Sequence, residues 1–281
     1  MVKYNQWISQ AQQQLQDKRL ETAQVDWLVM DLLGWSRTTY LMNKQQVISE
    51  QEFHLLQNGL ERLLKGEPEQ YVVGFASFMG RDFKVTPDVL IPRPETEEVV
   101  AHFMDQLPRE GTIADIGTGS GIIAISIKKA HPQLSVYASD ISPQALEVAQ
   151  RNAQQHDAAI QFLCGDTLHP FIEKKLKLEG LISNPPYIDC IEQNVMSTST
   201  LNYEPHLALF AEDEGLKIYR SILIQLPKVM KEGAPVVFEI GYQQGAALKS
   251  LITSLYPQLV PKVIKDINGN DRIISFKWSA Q

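Results

Sequence analysis

Asp115-Ile116-Gly117-Thr118-Gly119-Ser120-Gly121 is the stretch on which the fold turns. The apolar run Thr112–Ile116 enters it as a buried strand, and Ile122–Ala130 leaves it at helical spacing. In a strand that passes through glycines straight into a helix, glycine permits backbone geometry forbidden to other residues and lets a ligand approach closely. About 20 residues beyond Gly121, Asp140 ends the next apolar run, where a carboxylate accepts hydrogen bonds from a ribose diol. Together these features point to an adenosine-bearing cofactor, either a dinucleotide or S-adenosylmethionine. The spacing is Gly-x-Gly-x-Gly, not the dinucleotide Gly-x-Gly-x-x-Gly, and it leans toward S-adenosylmethionine. The candidate cofactor residues are Gly117, Thr118, Gly119, Ser120, Gly121 and Asp140. Gly165-Asp166, after the third strand, is placed over the same crevice near an adenine, with an Asx turn as the alternative.

Outward from this loop, strand and helix patterns alternate. Strands are expected at Thr112–Ile116, Val136–Asp140, Ile160–Leu163, Gly180–Ser183, Pro235–Ile240, Leu259–Ile264 and Arg272–Lys277. Helical runs lie at Ile122–Ala130, Pro143–Gln155, Gly215–Met230 and Gln244–Leu255. The alternation predicts an open α/β sheet, mostly parallel, with ligands at the carboxyl ends of its strands. Only the turn Asp266–Asn270 separates the last two strands, so the final one should run antiparallel.

The N-terminal third reads differently. Tyr4, Ile8, Ala11 and Leu15 share one helix face, and Val25, Leu28, Val29, Leu32 and Leu33 share another that closes at Gly34. Ser49 with Glu52 is a capping box ahead of Phe53, Leu56, Leu60 and Leu63, and Gly66 and Pro68 stop that helix. These stripes predict a helical bundle core over residues 1–69. Over 70–91, the runs at Tyr71-Val72-Val73, Phe75–Phe78 and Phe83–Val85, punctuated by Gly and Pro, predict a β-hairpin linker. Residues 92–281 are expected to form the α/β domain.

The 281 residues are 44% hydrophobic and 21% charged, enough to bury a core and too apolar for a disordered chain. A net charge of −7 lacks the field that draws proteins to phosphate backbones. The first 84 residues carry nine basic and ten acidic side chains, which suits protein docking better than a grip on nucleic acid. Met1–Trp7 has no apolar signal region and no stretch reaches the roughly 20 residues of a membrane span, so a cytoplasmic protein is expected. Six histidines show no metal-ligand spacing, and no metal is expected. Cys164 reads as packing near the third strand, Cys190 as a surface or packing residue, and Glu95, Glu97 and Glu98 as first-turn residues that complement a helix dipole.

Asn184-Pro185-Pro186-Tyr187 follows the buried run Leu181-Ile182-Ser183 at its carboxyl end. Two prolines fix φ and remove two donors, which stiffens the loop and leaves the Asn184 amide oxygen and the Pro185 carbonyl as acceptors beside a flat ring. Two acceptors suit a planar NH₂ group. An amide or aryl-amine nitrogen is a poor nucleophile, and holding both its N–H bonds aims the lone pair along a methyl–sulfur axis for in-line attack.

With these residues in place the chain resembles the amino-methyltransferases that use S-adenosylmethionine. Gly66-Glu-Pro-Glu-Gln-Tyr71, Leu90-Ile-Pro-Arg-Pro-Glu-Thr-Glu97, Tyr203-Glu-Pro205, Glu214-Gly-Leu-Lys-Ile-Tyr219 and Glu239-Ile-Gly241 narrow the resemblance to the release factor glutamine N5-methyltransferases. The resemblance implies a Rossmann-like class I methyltransferase sheet of seven strands, the last antiparallel, with an N-terminal helical bundle domain. It implies methylation of the glutamine in the Gly-Gly-Gln motif of peptide chain release factors, with consequences for translation termination. By the same resemblance Gly117–Gly121 hold the methionine part of the cofactor, Asp140 the ribose, and Asp166 and Thr167 the adenine end. Asn184 and Pro185 bind the substrate amide, with Asn184 also bordering the cofactor. Pro186 and Tyr187 complete the substrate loop, Tyr187 packing against the amide plane. Arg93 to Glu97 border the cofactor pocket, and the helical domain recognises the body of the release factor. Some relatives carry an aromatic residue just after the position of Asp166, where this chain has Thr167 and Leu168. Tyr203–His206 lies in a long segment, around 188–212, suited to form a lid over a substrate loop. A monomer is expected, with no direct nucleic-acid binding. Two other readings compete: an adenine N6-methyltransferase acting on DNA or RNA, and a catalytically silent protein-binding module.

Overall fold

The computed structural model describes residues 2–189 and 196–280, and the chain divides into two compact units. The first comprises Met1–Phe75 with Met196–Tyr203. Its helices are α1 (Tyr4–Asp17), α2 (Ala23–Leu33), α3 (Arg37–Asn43), α4 (Glu50–Leu63) and α5 (Glu69–Val73). The stripes read from the sequence meet in one core of Tyr4, Ile8, Leu15, Val25, Leu28, Leu56, Leu60 and Leu63. The capping box is present: Ser49 Oγ accepts from Glu52 N–H, and the Glu52 carboxylate accepts in return from Ser49 N–H.

Tyr71-Val72-Val73 is helical, not the first part of a β-hairpin. Pro68 starts this short helix, Gly74 ends it in the left-handed region (φ 86°), and Tyr71 and Val72 are buried. Burial in the bundle outweighs the β preference of two valines. The Arg62 guanidinium donates to the Tyr71 and Val72 carbonyls at 2.9 and 3.0 Å, tying α4 to the end of α5.

The second unit comprises Ala76–Val195 and Glu204–Gln281. Strands β1 (Phe75–Phe78) and β2 (Arg81–Lys84) pair through Met79 and Gly80, both at positive φ. Phe78 and Phe83 are buried with Val99, Val100 and Phe103. Asn152 fastens β2, accepting from Lys84 N–H and donating to Lys84 O.

The main sheet has seven strands, with β3 (Thr112–Ile116), β4 (Ser135–Asp140), β5 (Ile160–Cys164), β6 (Gly180–Ser183), β7 (Pro235–Glu239), β8 (Lys262–Lys265) and β9 (Asp271–Lys277) in the order β5-β4-β3-β6-β7-β9-β8. The first five are parallel, and β9 runs antiparallel to β7 and β8. The two-residue period of a strand then sorts the core. Ile113, Ile182 and Val237 face the cluster built with α6 (Pro94–Met104) and α7 (Ile122–Ala130). Ala114, Leu181, Val236 and Phe238 face the cluster built with α12 (Lys217–Val229) and α13 (Gly245–Leu255). The remaining helices are α8 (Pro143–Gln155) and α9 (His169–Glu173), with α10 (Thr198–Tyr203) in the first unit and α11 (His206–Leu209) in the second. The strand expected from Leu259 begins only at Lys262, because Pro261 has no N–H to donate to a ladder. Cys164 is exposed at the end of the edge strand β5, not packed as expected; Cys190 lies outside the described residues. No helix among the described residues is long and apolar enough to cross a membrane.

The chain leaves β3 toward β4 on one side, and β6 lies on its other side. This switch point opens a crevice at the carboxyl ends of the strands.

Candidate active site

A cavity of about 310 Å³ occupies that crevice. The β3–α7 loop (Gly117–Ser120), the end of β4 (Ser139–Ser142), Gly165–Thr167 after β5 and Asn184–Pro186 after β6 all line it. Pro87–Arg93 and Thr96 close one side, and Pro205, Leu207 and Ala208 another.

The glycine loop is built by backbone. Gly117 and Thr118 N–H both donate to Ser139 O, at 2.8 and 2.9 Å, and Gly119 N–H donates to Asp140 Oδ2 at 2.9 Å. Gly117 and Gly119 sit at φ 71° and 54°, and a Cβ on either would project into open space. The loop therefore needs glycine for its conformation, and the space in front of it is open. The other Asp140 oxygen accepts from Ser142 N–H at 2.9 Å. Burial raises the Asp140 pKa, and these N–H donors oppose the rise. Ile141 N–H is a third backbone donor to this carboxylate, which still keeps acceptor capacity for a further donor such as a ribose hydroxyl. Ser139 Oγ, on the cavity wall, is buried without a hydrogen-bond partner among the described residues. An open glycine cradle, a carboxylate with spare acceptor capacity and an orphaned hydroxyl on one wall fit a nucleoside bearing an amino-acid chain.

Behind the loop, Asp115 is buried, accepting from Thr118 Oγ1 at 2.6 Å and from Ala124 N–H at 3.3 Å. Burial pushes its carboxyl up to about 7 against these bonds. A carboxyl whose folded pKa lies above its unfolded one keeps a proton that the unfolded chain releases. Its contribution to stability is full below 3.8 and is lost as pH rises through about 7. Asp115→Asn, which keeps the acceptor and cannot ionise, should remove the Asp115 share of that decline, up to about 1.4 kcal/mol per pH unit. Urea unfolding across the window checks it, and an unaltered slope would contradict it.

The Asn-Pro-Pro-Tyr loop is divided. Asn184, Pro185 and Pro186 line the cavity; Tyr187 does not. The Tyr187 ring packs against the core beside Gly241, near Glu239 and Arg272, and burial, followed by the Glu239 charge, pushes its hydroxyl up to about 12. Its carbonyl accepts from Gln244 Nε2 at 2.9 Å. Asn184 Nδ2 faces Thr96 Oγ1 at 3.5 Å, and Thr96 Oγ1 donates to Glu239 Oε2 at 2.7 Å. Thr96 and Glu239 lie in segments that carried the resemblance, yet nothing in their spacing marked them as partners of Asn184.

Asp166 and Thr167 line the cavity. Thr167 sits at φ 46°, and its hydroxyl is engaged from behind by Gln225 Nε2 at 2.8 Å. Of Arg93–Glu97, Arg93 and Thr96 reach the cavity wall. Glu97 instead accepts from Met79 N–H at 2.6 Å, and Glu98 from Ile267 N–H at 3.2 Å. The loop ahead of α6 is pinned by Glu204, which is buried and accepts from the Arg93 guanidinium at 2.5 Å and from Ile91 N–H at 3.2 Å. Glu204 thus joins two segments, Ile91-Pro-Arg93 and Tyr203-Glu-Pro205, that are far apart in sequence.

Comparison with known proteins places this geometry. A family model described as PrmC N-terminal domain matches residues 6–74, and one described as Methyltransferase small domain matches residues 95–207. A release factor glutamine methyltransferase of Staphylococcus aureus is 50% identical over 278 residues, covering 99% of this chain and 100% of the relative. Its counterpart in Enterococcus faecalis is 40% identical, covering 96% and 98%. The chain belongs to the release factor glutamine methyltransferases. Among solved structures, a methyltransferase from Pyrococcus furiosus (TM-score 0.53, 16% identity, 82% of this chain and 98% of that one) shares the fold. So does the hMettl16 catalytic domain in complex with MAT2A 3'UTR hairpin 1 (TM-score 0.59, 15% identity, 92% of each chain). The class I methyltransferase sheet expected from the sequence is the observed one, and the chain is a methyltransferase. For a member of this family, the cavity brings the glycine loop, Asp140 and the Asn184-Pro185 acceptors to one crevice.

Proposed function

We propose that this protein methylates the side-chain nitrogen (N5) of the glutamine in the Gly-Gly-Gln motif of peptide chain release factors, with S-adenosyl-L-methionine as donor and S-adenosyl-L-homocysteine as product. The observation that carries the reading is the shared cavity wall: Asn184 and Pro185 line the same cavity as the glycine loop and Asp140. Of Gly117–Gly121, Gly117–Ser120 line the cavity and would hold the methionine part, with Gly121 behind them against Ala149 and Ile125; Asp140 would hold the ribose diol, and Asp166 and Thr167 the adenine end. When bound, the cofactor supplies an electrophilic methyl carbon on a positively charged sulfur. Asn184 Oδ1 and the Pro185 carbonyl would accept the two N–H bonds of the glutamine carboxamide and so orient its nitrogen for attack on the donor's methyl group. Pro186 stiffens the loop from which both acceptors project. The clamp requires no strong base before transfer, because the nitrogen becomes acidic once alkylated and its proton then leaves to water.

The helical unit recognises the body of the release factor, and the protein acts as a cytoplasmic monomer that takes protein, not nucleic acid, as substrate. Radiolabelled cofactor offered with release factor, DNA and RNA side by side tests this. Label should enter the release factor; label confined to nucleic acid would establish the adenine reading, and absence of cofactor binding would establish the silent module.

A further inference from the structure

Asn184 is a carboxamide, and its usefulness depends on which way it faces. With the oxygen toward the cavity it accepts a substrate N–H; turned over, it presents a donor to a donor. The buried groups behind it settle the orientation. Thr96, 1% exposed, gives its only proton to Glu239, 2% exposed, at 2.7 Å. The lone pairs of Thr96 Oγ1 are then what Asn184 meets at 3.5 Å, and an amide oxygen placed there would oppose them. The Asn184 NH₂ therefore faces Thr96, and Oδ1 is left for the substrate.

We propose that Thr96 and Glu239 are positioning residues, a two-step relay that holds the Asn184 oxygen toward the incoming nitrogen; this rests on the amide-clamp reading above.

The relay reverses when Glu239 is protonated. The carboxyl then donates to Thr96, the Thr96 proton is freed for Asn184 Oδ1, and the carboxamide turns its NH₂ to the cavity. The groups that face Glu239 are Arg93, Glu95 and Thr96 from the start of α6, Arg272 from β9, Tyr187 from the substrate loop and Tyr219 from α12. Burial, the largest influence, pushes the Glu239 carboxyl up to about 7; Thr96, Arg272 and Arg93 oppose the rise and Glu95 adds to it. The competent ionised form is thus lost as pH falls through neutrality, and kcat falls with it.

The test compares wild type, Thr96→Val, Thr96→Ser, Glu239→Gln and Asn184→Ala in full-length protein with release factor as substrate. Thr96→Val keeps the shape and removes the hydroxyl. It should lower kcat about tenfold, equivalent to about 1.4 kcal/mol, with KM for release factor and affinity for S-adenosylmethionine nearly unchanged. Thr96→Ser should recover most of that loss. Glu239→Gln should abolish the acidic limb of the kcat–pH profile, and that profile decides alone if Thr96→Val does not fold. A wild-type kcat in Thr96→Val, an equal loss in Thr96→Ser, or an acidic limb that survives Glu239→Gln would overturn the relay. If Asn184→Ala is impaired while Thr96→Val is not, the relay alone fails. If Asn184→Ala is fully active, the clamp itself fails.

Discussion

Asn184→Ala is expected to lower kcat by a factor of about 10²–10³, the cost typical of deleting one preorganised hydrogen-bonding group aimed at a reacting centre. The alanine leaves one acceptor, Pro185 O, so the substrate carboxamide can swing about the remaining bond and its nitrogen spends little time in line. Affinity for S-adenosylmethionine should survive, because the Gly117–Gly121 backbone and Asp140 hold their geometry without Asn184: the hydrogen bonds of that loop run to Ser139, Asp140, Asp115 and Asn152 and from Gly121 N–H to Thr118 O within the loop itself. Calorimetry with the cofactor and single-turnover methylation separate the two effects. Equal losses in binding and turnover would mean that Asn184 serves the cofactor and not the amide.

Gly215→Ala is expected to be the most damaging change outside the cavity. Asp213, Glu214 and Gly215 adopt positive φ in succession (60°, 54° and 76°), a turn that brings Gly215 against the far side of the substrate loop. A Cβ at Gly215 would overlap the Tyr187 carbonyl and lie 2.6 Å from Gln244 Nε2, the group that holds that carbonyl. Neither can yield without moving the loop, since one is backbone and the other also accepts from Gly241 N–H at 3.0 Å through its amide oxygen. A displacement of about 1 Å at the reacting groups costs about 10²-fold in rate, and kcat should fall by that order along with a loss of thermal stability. Gly233→Ala provides the contrast. Its φ is also 76°, but nothing lies within 4 Å of the added Cβ, so only the backbone penalty of about 1 kcal/mol applies and activity should persist. If the two variants behave alike, the clash with Tyr187 is not what matters.

The features legible in the sequence are those that a local period or a turn dictates. Apolar runs of four to six residues gave the strands, and Ile122–Ala130 and Pro143–Gln155 were bounded correctly because Gly121 and Ser142 cap them. The antiparallel end of the sheet followed from a five-residue turn, which Asp266 organises by accepting from Asn268 and Asn270 N–H. Tyr71–Val73 misled because a β-branched run carries a strand signature, whereas Pro68, Gly74 and burial within the bundle decide its form. The Glu239–Thr96–Asn184 relay and the Glu204 contacts with Ile91 and Arg93 span 88 to 143 positions. No local pattern registers a bond of that range; only the fold, by aligning β6, β7 and the start of α6, brings the partners together. The Tyr187 ring, expected against the amide plane, lies instead beside Glu239 and Arg272, groups whose position the sequence did not supply.

Tandem mass spectrometry of release factor treated with wild-type protein and isotopically labelled S-adenosylmethionine tests the central claim most directly. The expected result is a single added methyl on the side-chain nitrogen of the Gly-Gly-Gln glutamine, absent when Asn184→Ala replaces wild type in a matched short incubation. A methyl group on any other residue, or an unmodified glutamine beside consumed cofactor, would contradict the account.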